Sequence, residues 1–304
     1  MKKIAFVTYQ NAPNLTADDA LAVPHLQARG IEVMPALWDD PNVRWQEFDA
    51  IVLRSCWDYH LKLALFRCWL QHLRELAVPV HNAIETVEWN LHKGYLRELA
   101  QQGAAVPETC WLTAGESVDL CALLDKKGWS QAVIKPVVSA TASQTWLCER
   151  SRAADFQHRL EAILQSGEAM VQVYLPEIAS DGEWSLLYFG GAFSHAVKKR
   201  ARDGDFRVQA DFGGSAVLAQ PSERLVRQAR EIVQKIKPVP LYARVDGIER
   251  NGDLLLTELE LIEPELFLRL DAEAAERFAD VVGDVKFSSN KQVKFTPRTT
   301  RQAG

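Results

Sequence analysis

The chain has 304 residues, 47% hydrophobic and 25% charged, with a formal net charge of −5 and a pI near 5.9. That length supports two or three packed units, and the mild acidity excludes a global pull toward nucleic acid or anionic membrane, although local basic groups can still hold a phosphate. Five scattered cysteines with no C-x-x-C pair exclude a disulfide framework and a structural zinc site, and they point to a reducing compartment.

The opening run MKKIAFVTY is too short for a signal-peptide core and reads as a buried first strand. No later stretch reaches the length of a membrane span, so the expected home is the cytoplasm. KIAFVTY, IEVMPALW, FDAIVLRS and VPVHN read as strands. Between the first two lies a helix capped by Thr16, stopped by Gly30 and kinked at Pro24. A second helix, LKLALFRCWLQHLRELA, precedes the fourth strand, and this rhythm predicts a small parallel sheet over 1–82. One helical segment, ETVEWNLHKGYLRELAQQG, leads into VPETCWL, a helix near VDLCALLDKKG, and the strand QAVIKP. The loop VVSATASQT joins that strand to TWLCER. After the helix AADFQHRLEAILQSG come AMVQVYLPEI, EWSLLYFGGAFSHAVKKR and FRVQADFGGS, a strand-rich region. Helix SERLVRQAREIVQKI then precedes a hairpin that turns at Asn251-Gly252. The expected units are therefore 1–82, 83–168 and 169–282, with a frayed tail over 283–304.

The hairpin carries the strongest chemical signal. Glu258 and Glu260 fall on one face of a strand, and pairing across the turn brings Asp246 close to Glu258. Three clustered carboxylates repel unless a cation joins them, and Mg²⁺ is usually held by one or two carboxylates plus phosphate oxygens. A solvated acidic face bridged to Arg244 or Arg250 stands level with the metal reading. Lys135 ends an apolar strand beside a hydroxyl-rich loop, a suitable phosphate anchor, and Lys93 is able to reach the same place. Taken singly, each lysine is as ordinary as an exposed solubilising charge. Arg207 precedes the Gly213-Gly214 pair, which permits close backbone approach to a ligand that the arginine would clamp by a carboxylate or phosphate; taken alone, the segment reads more readily as an ordinary loop-flanked strand. Arg54, Ser55, Trp57, Asp58 and Tyr59 lie just past the carboxyl end of a strand, where open α/β sheets bind ligands. For Trp57 and Tyr59, packing is an equal reading. Neither a P-loop nor a G-x-G-x-x-G is present.

Taken in order, NLHKGYLRELAQQGAAVPET, VIKPVVSATASQT, VQVYLPEIASDGEW, GDFRVQADFGGS, ARVDG and LTELELIEP resemble the ATP-grasp superfamily, on its glutathione-synthetase and RimK-like side. LRSCWDY further resembles a RimK-like group that includes the ATP-grasp ligase closing the cycloserine ring. The resemblance implies an α/β (α+β) fold in which a small parallel domain precedes two α+β subdomains that sandwich ATP. It implies ATP-dependent C–N ligation of small carboxylate and amine substrates through an acyl phosphate, with Mg²⁺ or Mn²⁺ as cofactor and no nucleic-acid or membrane partner. Whether the chain works as a monomer or a homodimer is not implied. Lys93 and Lys135 would hold the phosphates, with Ser139 and Ser143 on the loop that closes over them. Gln172, Val173, Tyr174 and Leu175 would meet adenine, Glu183 the ribose, and Arg207 the γ-phosphate and substrate carboxylate. Asp246, Glu258 and Glu260 would carry two metal ions. Three departures stand out: Glu260 where the family commonly has asparagine, a loop without glycine, and Ser185 in place of a basic residue. Other readings are an intramolecular cyclo-ligase of the cycloserine type, a carboxylate kinase without an amine acceptor, and a nucleotide-binding module without turnover.

Overall fold

Three sheets build the protein, a computed structural model that describes residues 1–202, 205, 207–208 and 212–287. The N-terminal alternation gives β1 (Lys2–Thr8), α1 (Ala17–Ala20), α2 (Ala22–Ala28), β2 (Ile31–Leu37), β3 (Ala50–Leu53), α3 (Leu63–Leu76) and β4 (Val80–His81). Its four strands are parallel in the order β2-β1-β3-β4. Thr16 caps α1 through Asp19 N at 3.1 Å. The helix restarts after Leu21, which leaves Pro24 in the first turn of α2, where a missing N–H removes no helical bond.

The single helix expected next is two, α4 (Ile84–Asn90) and α5 (Tyr95–Gln101), and Lys93 sits in the break with its backbone N–H on Val137 O at 2.8 Å. Then come β5 (Thr109–Leu112), α6 (Leu120–Lys127), β6 (Gln131–Pro136), β7 (Trp146–Glu149), α7 (Ala153–Ser166) and β8 (Ala169–Val173). These strands form an antiparallel sheet in the order β5-β8-β6-β7, the lid, with its own core around Leu124, Ile134, Leu160 and Ile163. After α8 (Glu177–Ser180) follow β9 (Glu183–Phe189), β10 (Ala192–Arg200), β11 (Ser215–Leu218), α9 (Glu223–Gln234), β12 (Tyr242–Arg250), β13 (Asp253–Glu260) and α10 (Ala274–Gly283). They give a central antiparallel sheet ordered β11-β10-β9-β12-β13.

The sheets divide the chain differently from the expected 83–168 and 169–282. Tyr95, Leu96 and Leu99 of α5 pack on the central sheet, and β8 lies inside the lid sheet. The lid therefore begins after α5 and takes in β8, because hydrophobic faces rather than sequence order decide which sheet a segment joins. Val285 and Phe287 still pack against the core, so the chain stays engaged beyond residue 283; residues 288–304 of the expected frayed tail lie outside the described residues. The strand expected in FRVQADFGGS overlaps residues outside the description, and β11 begins immediately after Gly214.

Two features position the site. Ile4, Phe6 and Val52 of the N-terminal sheet share one core with Leu187, Phe189 and Phe278, all fully or nearly fully buried. Strand β13, at the edge of the central sheet, is covered by the connection from the N-terminal domain. Leu256 N donates to Ala105 O at 2.8 Å, Leu259 N to Tyr95 Oη at 3.1 Å, and Leu261 N to Asn90 Oδ1 at 2.9 Å. The amide nitrogen of Asn82 donates to Tyr242 O at 2.9 Å and Leu261 O at 2.7 Å, tying the ends of both hairpin strands.

Candidate active site

Strict alternation along DLLLTELE would put Leu254, Leu256, Glu258 and Glu260 on one face. A register slip separates them. From the turn, Arg250 pairs with Asp253 and Gly247 with Leu256, and the next pair is Asp246 with Glu258, which leaves Thr257 as the extra residue of a β-bulge. Leu254 and Leu256 then face the core, as do Leu259 and Leu261, while Glu258 and Glu260 turn to the opposite side. Gly247 makes the slip possible: a Cβ there would lie 2.6 Å from Leu255 O and 2.8 Å from Leu254 Cδ1. A second slip, between Phe193 and His195, aligns Glu183 of β9 with Lys199 of β10.

The two slips bring charged residues from four strands onto one face of the central sheet. Lys199 Nζ lies 2.8 Å from Glu183 Oε2 and 3.0 Å from Asp246 Oδ2, and the Ser185 hydroxyl donates to Asp246 Oδ1 at 2.6 Å. Arg244 bridges Asp246, at 3.0 Å, and Glu260. Lys93 pairs with Glu258, and Thr257 Oγ1 donates to Glu183 at 2.6 Å. Burial works against the Asp246 charge, but Arg244 and Lys199 more than offset it and hold its pKa low. Glu260 goes the other way: burial, with Asp246 and Glu258 close by, pushes its carboxyl up to about 7 despite Arg244. The Lys135 ammonium is driven down to about 8 by burial, with Lys93 nearby adding to the shift and Glu258 opposing it. The bridge to Arg244 anticipated as an alternative is thus present, whereas Arg250 pairs with Glu177 at 2.6 Å.

A cavity of about 420 Å³ opens over this face, between the lid, the central sheet and the N-terminal domain. Of the residues expected to bind ligand, Lys93, Lys135, Ser139, Glu258, Glu260, Trp57 and Gly214 line it, and so does Tyr59. Asp246 lies beside it, bonded to two of its lining cations. The other expected residues are engaged elsewhere in this structure. Arg54, 1% exposed, spends its guanidinium on Asp19 at 2.9 Å and Pro264 O at 2.8 Å, while Ser55 donates to Asp19 at 2.5 Å. Asp58 accepts from Trp38 Nε1 at 2.7 Å and from Lys62. These three fasten the N-terminal domain and do not line the cavity. Glu183 is taken by Lys199 and Thr257 instead of facing it. Ser143 stands in a turn, N–H to Ala140 O, and Gly213 packs on Arg202. Gln172, Val173, Tyr174 and Leu175 lie at the end of β8 outside the lining; the Val173 and Tyr174 amides donate to Glu108 O and Gln131 O, and the Gln172 side chain to Thr109. Arg207 is paired with Asp205 at 2.7 Å and lies over the Phe212 ring, and it is its neighbour Val208 that lines the cavity.

Sequence reasoning did not single out Lys199, Phe267 and Arg269, which also line the cavity, and it mentioned Arg244 only as a bridging partner. The alternation in HAVKKR was the available signal for Lys199, but its partners stand on other strands. Among the described residues, no three His, Cys, Asp or Glu side chains converge on one point able to hold a metal, because each acid of the cluster is turned to a basic side chain.

Residues 101–273, more than half of the chain, match the family described as prokaryotic glutathione synthetase, ATP-grasp domain. The chain is an ATP-grasp ligase. Residues 4–82 match the N-terminal domain of D-cycloserine synthetase DcsG. Over 271 residues the ligase is 28% identical to the cycloserine biosynthesis protein DcsG of Streptomyces lavendulae, covering 84% of this chain and 89% of that protein. It is 31% identical over 154 residues, about half of each chain, to the probable alpha-L-glutamate ligase 2 of Shewanella frigidimarina. The crystal structure of D-cycloserine synthetase DcsG superimposes with a TM-score of 0.83 at 25% identity, covering 92% of this chain and 98% of that one. The D-alanine–D-alanine ligase of Bacillus anthracis shares the fold, with a TM-score of 0.65 at 15% identity over 93% of this chain and 96% of that one. The ligase is accordingly an enzyme that couples ATP to C–N bond formation, with the α/β ATP-grasp fold that the motifs implied. Among the described residues no helix is long and apolar enough to cross a membrane.

Proposed function

We propose that the ligase closes a small amino-acid derivative on itself to give a cycloserine-type ring. One observation carries this: likeness to D-cycloserine synthetase extends through the N-terminal domain as well as the ATP-grasp part, covering 92% of the chain. The substrate carboxylate attacks the γ-phosphorus of ATP, giving an acyl phosphate and ADP. A nitrogen of the same molecule then attacks the acyl carbon, phosphate leaves, and the nitrogen loses a proton. Positioning and charge neutralisation supply most of the first step. Lys93 and Lys135 would hold phosphate oxygens, and Ser139 with the rest of the loop to Thr145 would shut water out, since an acyl phosphate hydrolyses readily. Backbone groups of Gln172 to Leu175 would meet adenine, Glu183 would have to release Lys199 and Thr257 to reach ribose, and Arg207 would leave Asp205 to reach the γ-phosphate.

Asp246, Glu258 and Glu260 would hold Mg²⁺ or Mn²⁺. The donors fit: all are hard oxygens, and burial beside Asp246 and Glu258 raises the Glu260 carboxyl to about 7, a cost that a cation there would relieve. They make no closed cage, which suits a cation that takes one or two carboxylates and completes its shell with phosphate oxygens. A metal held there would supply charge neutralisation for the phosphate being transferred. Ligation requires Arg244 and Lys93 to give up part of their hold on Glu260 and Glu258. Free cysteines and the need for ATP support the reading that this work is done in the cytoplasm.

Opening the amide C–N bond of a cycloserine ring yields a 3-aminooxy amino acid, so β-aminooxy-D-alanine is the test substrate. With ATP and Mg²⁺, the expected products are ADP, phosphate and an organic product lighter than the substrate by one water. The glutamate-ligase relative favours the intermolecular alternative. A product whose mass equals the substrate plus an added amino acid, less water, would establish that reading and sink ring closure.

A further inference from the structure

On the N-terminal-domain side of the cavity, the three residues Glu263–Glu265 follow β13 with their backbone pinned at three successive carbonyls. Glu263 O accepts from Trp57 Nε1 at 2.9 Å, Pro264 O from Arg54 Nη2 at 2.8 Å, and Glu265 O from Arg244 Nη1 at 3.2 Å. The Glu263 side chain lines the cavity, and among the described residues its carboxylate has no hydrogen-bond or ion-pair partner. It differs in this from the other acids of the lining, since Glu258 pairs with Lys93, Glu260 with Arg244 and Glu265 with Arg269. It also lies past the strand, out of the row formed by Glu258 and Glu260. A half-buried carboxylate with no counter-charge in contact carries a cost that Lys93 and Arg244 offset only from a distance, and a cationic ligand group reduces it. Trp57 and Tyr59 line the same side, and aromatic faces favour a cation further.

We infer that Glu263 is the docking group for the substrate's α-ammonium, between the rings of Trp57 and Tyr59. The inference rests on the ring-closure reading of this site and sharpens it: the substrate is an α-amino acid whose α-amine is held away from the acyl phosphate, so a second nitrogen must close the ring.

The test is calorimetric titration of D-cycloserine, which keeps that free amine, into the full chain with ADP and Mg²⁺ present. Glu263→Gln is expected to bind it roughly 10- to 100-fold more weakly, with ADP affinity unchanged. On the wild-type protein, isoxazolidin-3-one, the same ring without the amine, is expected to show a similar deficit, and Glu263→Asp, which keeps the charge, is expected to bind D-cycloserine better than Glu263→Gln. Equal affinity for the two rings overturns the assignment. A parallel loss of ADP–Mg²⁺ affinity in Glu263→Gln also overturns it, by making Glu263 a metal ligand. If D-cycloserine does not bind the wild-type protein, ring closure falls and ADP release with D-alanine against propionate decides Glu263. A wild-type preference for D-alanine that vanishes in Glu263→Gln supports the assignment, whereas no wild-type preference, or one that the variant keeps, refutes it.

Discussion

Lys135 ends β6 as a half-buried cation facing the cavity, held down to about 8 by desolvation. Anion binding favours its charged form. Above pH 8 the free site has begun to lose that proton, so ATP should bind with uptake of up to about one proton per site, and affinity should fall as pH rises. Calorimetry at pH 9 in buffers of different ionisation enthalpy measures the uptake; its absence would count against Lys135 as a phosphate ligand. Lys135→Ala should weaken ATP binding by roughly 10- to 100-fold, as expected when one charged hydrogen-bond partner is lost. Glu258→Gln keeps shape and hydrogen-bonding capacity but removes one charge from the acid row. Its ADP release at saturating ATP should drop by about 100-fold or more, and raising Mg²⁺ should restore part of it. A variant as fast as wild type at every Mg²⁺ level would remove Glu258 from the metal site.

At the scale of the strand, the bulge beside Gly247 decides which face the acids occupy. Gly247→Ala meets Leu255 O and should destabilise the protein by about 1–3 kcal/mol, seen as a lower urea midpoint. The same change tilts Glu258 out of the cavity, so activity should fall further than the stability loss explains. Asn90→Ala leaves Leu259 O and Leu261 N without their partners and should cost about 1–3 kcal/mol in the same measurement. These elements also mark what the sequence made legible. The Asn251-Gly252 turn fixed the hairpin, and Glu258 and Glu260 were visible as acids in an apolar strand. Straight pairing from that turn puts Asp246 opposite Thr257, and only the bulge moves it to Glu258. Glu183 likewise meets Lys199 only through the slip at Phe193/His195, so a buried cation of the site stayed hidden in an ordinary charged strand. Arg54 was misjudged for a related reason. The end of a strand is a good place for ligand contacts, but its buried partner Asp19 comes from helix α1, 35 residues earlier, which local pattern does not connect.

Across the whole molecule, the lid carries its own core and is joined to the rest through the stretch after α5 and through the end of β8. A unit with its own core and two connections is expected to move as one piece. Binding of ATP and Mg²⁺ should slow amide exchange about tenfold or more in the Ala140–Thr145 loop while α6 and α7 change little. Protection spread evenly over the lid helices would instead mean that the lid orders internally on binding. The loop holds Thr141, Ala142 and Gln144 at φ of 51°, 53° and 51°, a left-handed geometry with no glycine to ease it.

The N-terminal sheet is fastened in the opposite manner. Phe6 and Phe278 lie in one core, the Tyr242 hydroxyl donates to Leu53 O at 2.5 Å, and Arg54 is buried against the Tyr242 ring. The part of the enzyme that brings Trp57 and Tyr59 to the cavity is thus welded to the central sheet. Chimeras that graft a relative's first 82 residues onto this ATP-grasp body would leave mismatched apolar faces along the seam and should come out insoluble. If the proposed docking site is right, point changes at Trp57, Tyr59 and Glu263 should shift specificity where domain grafts fail, unless the seam is transplanted with the domain.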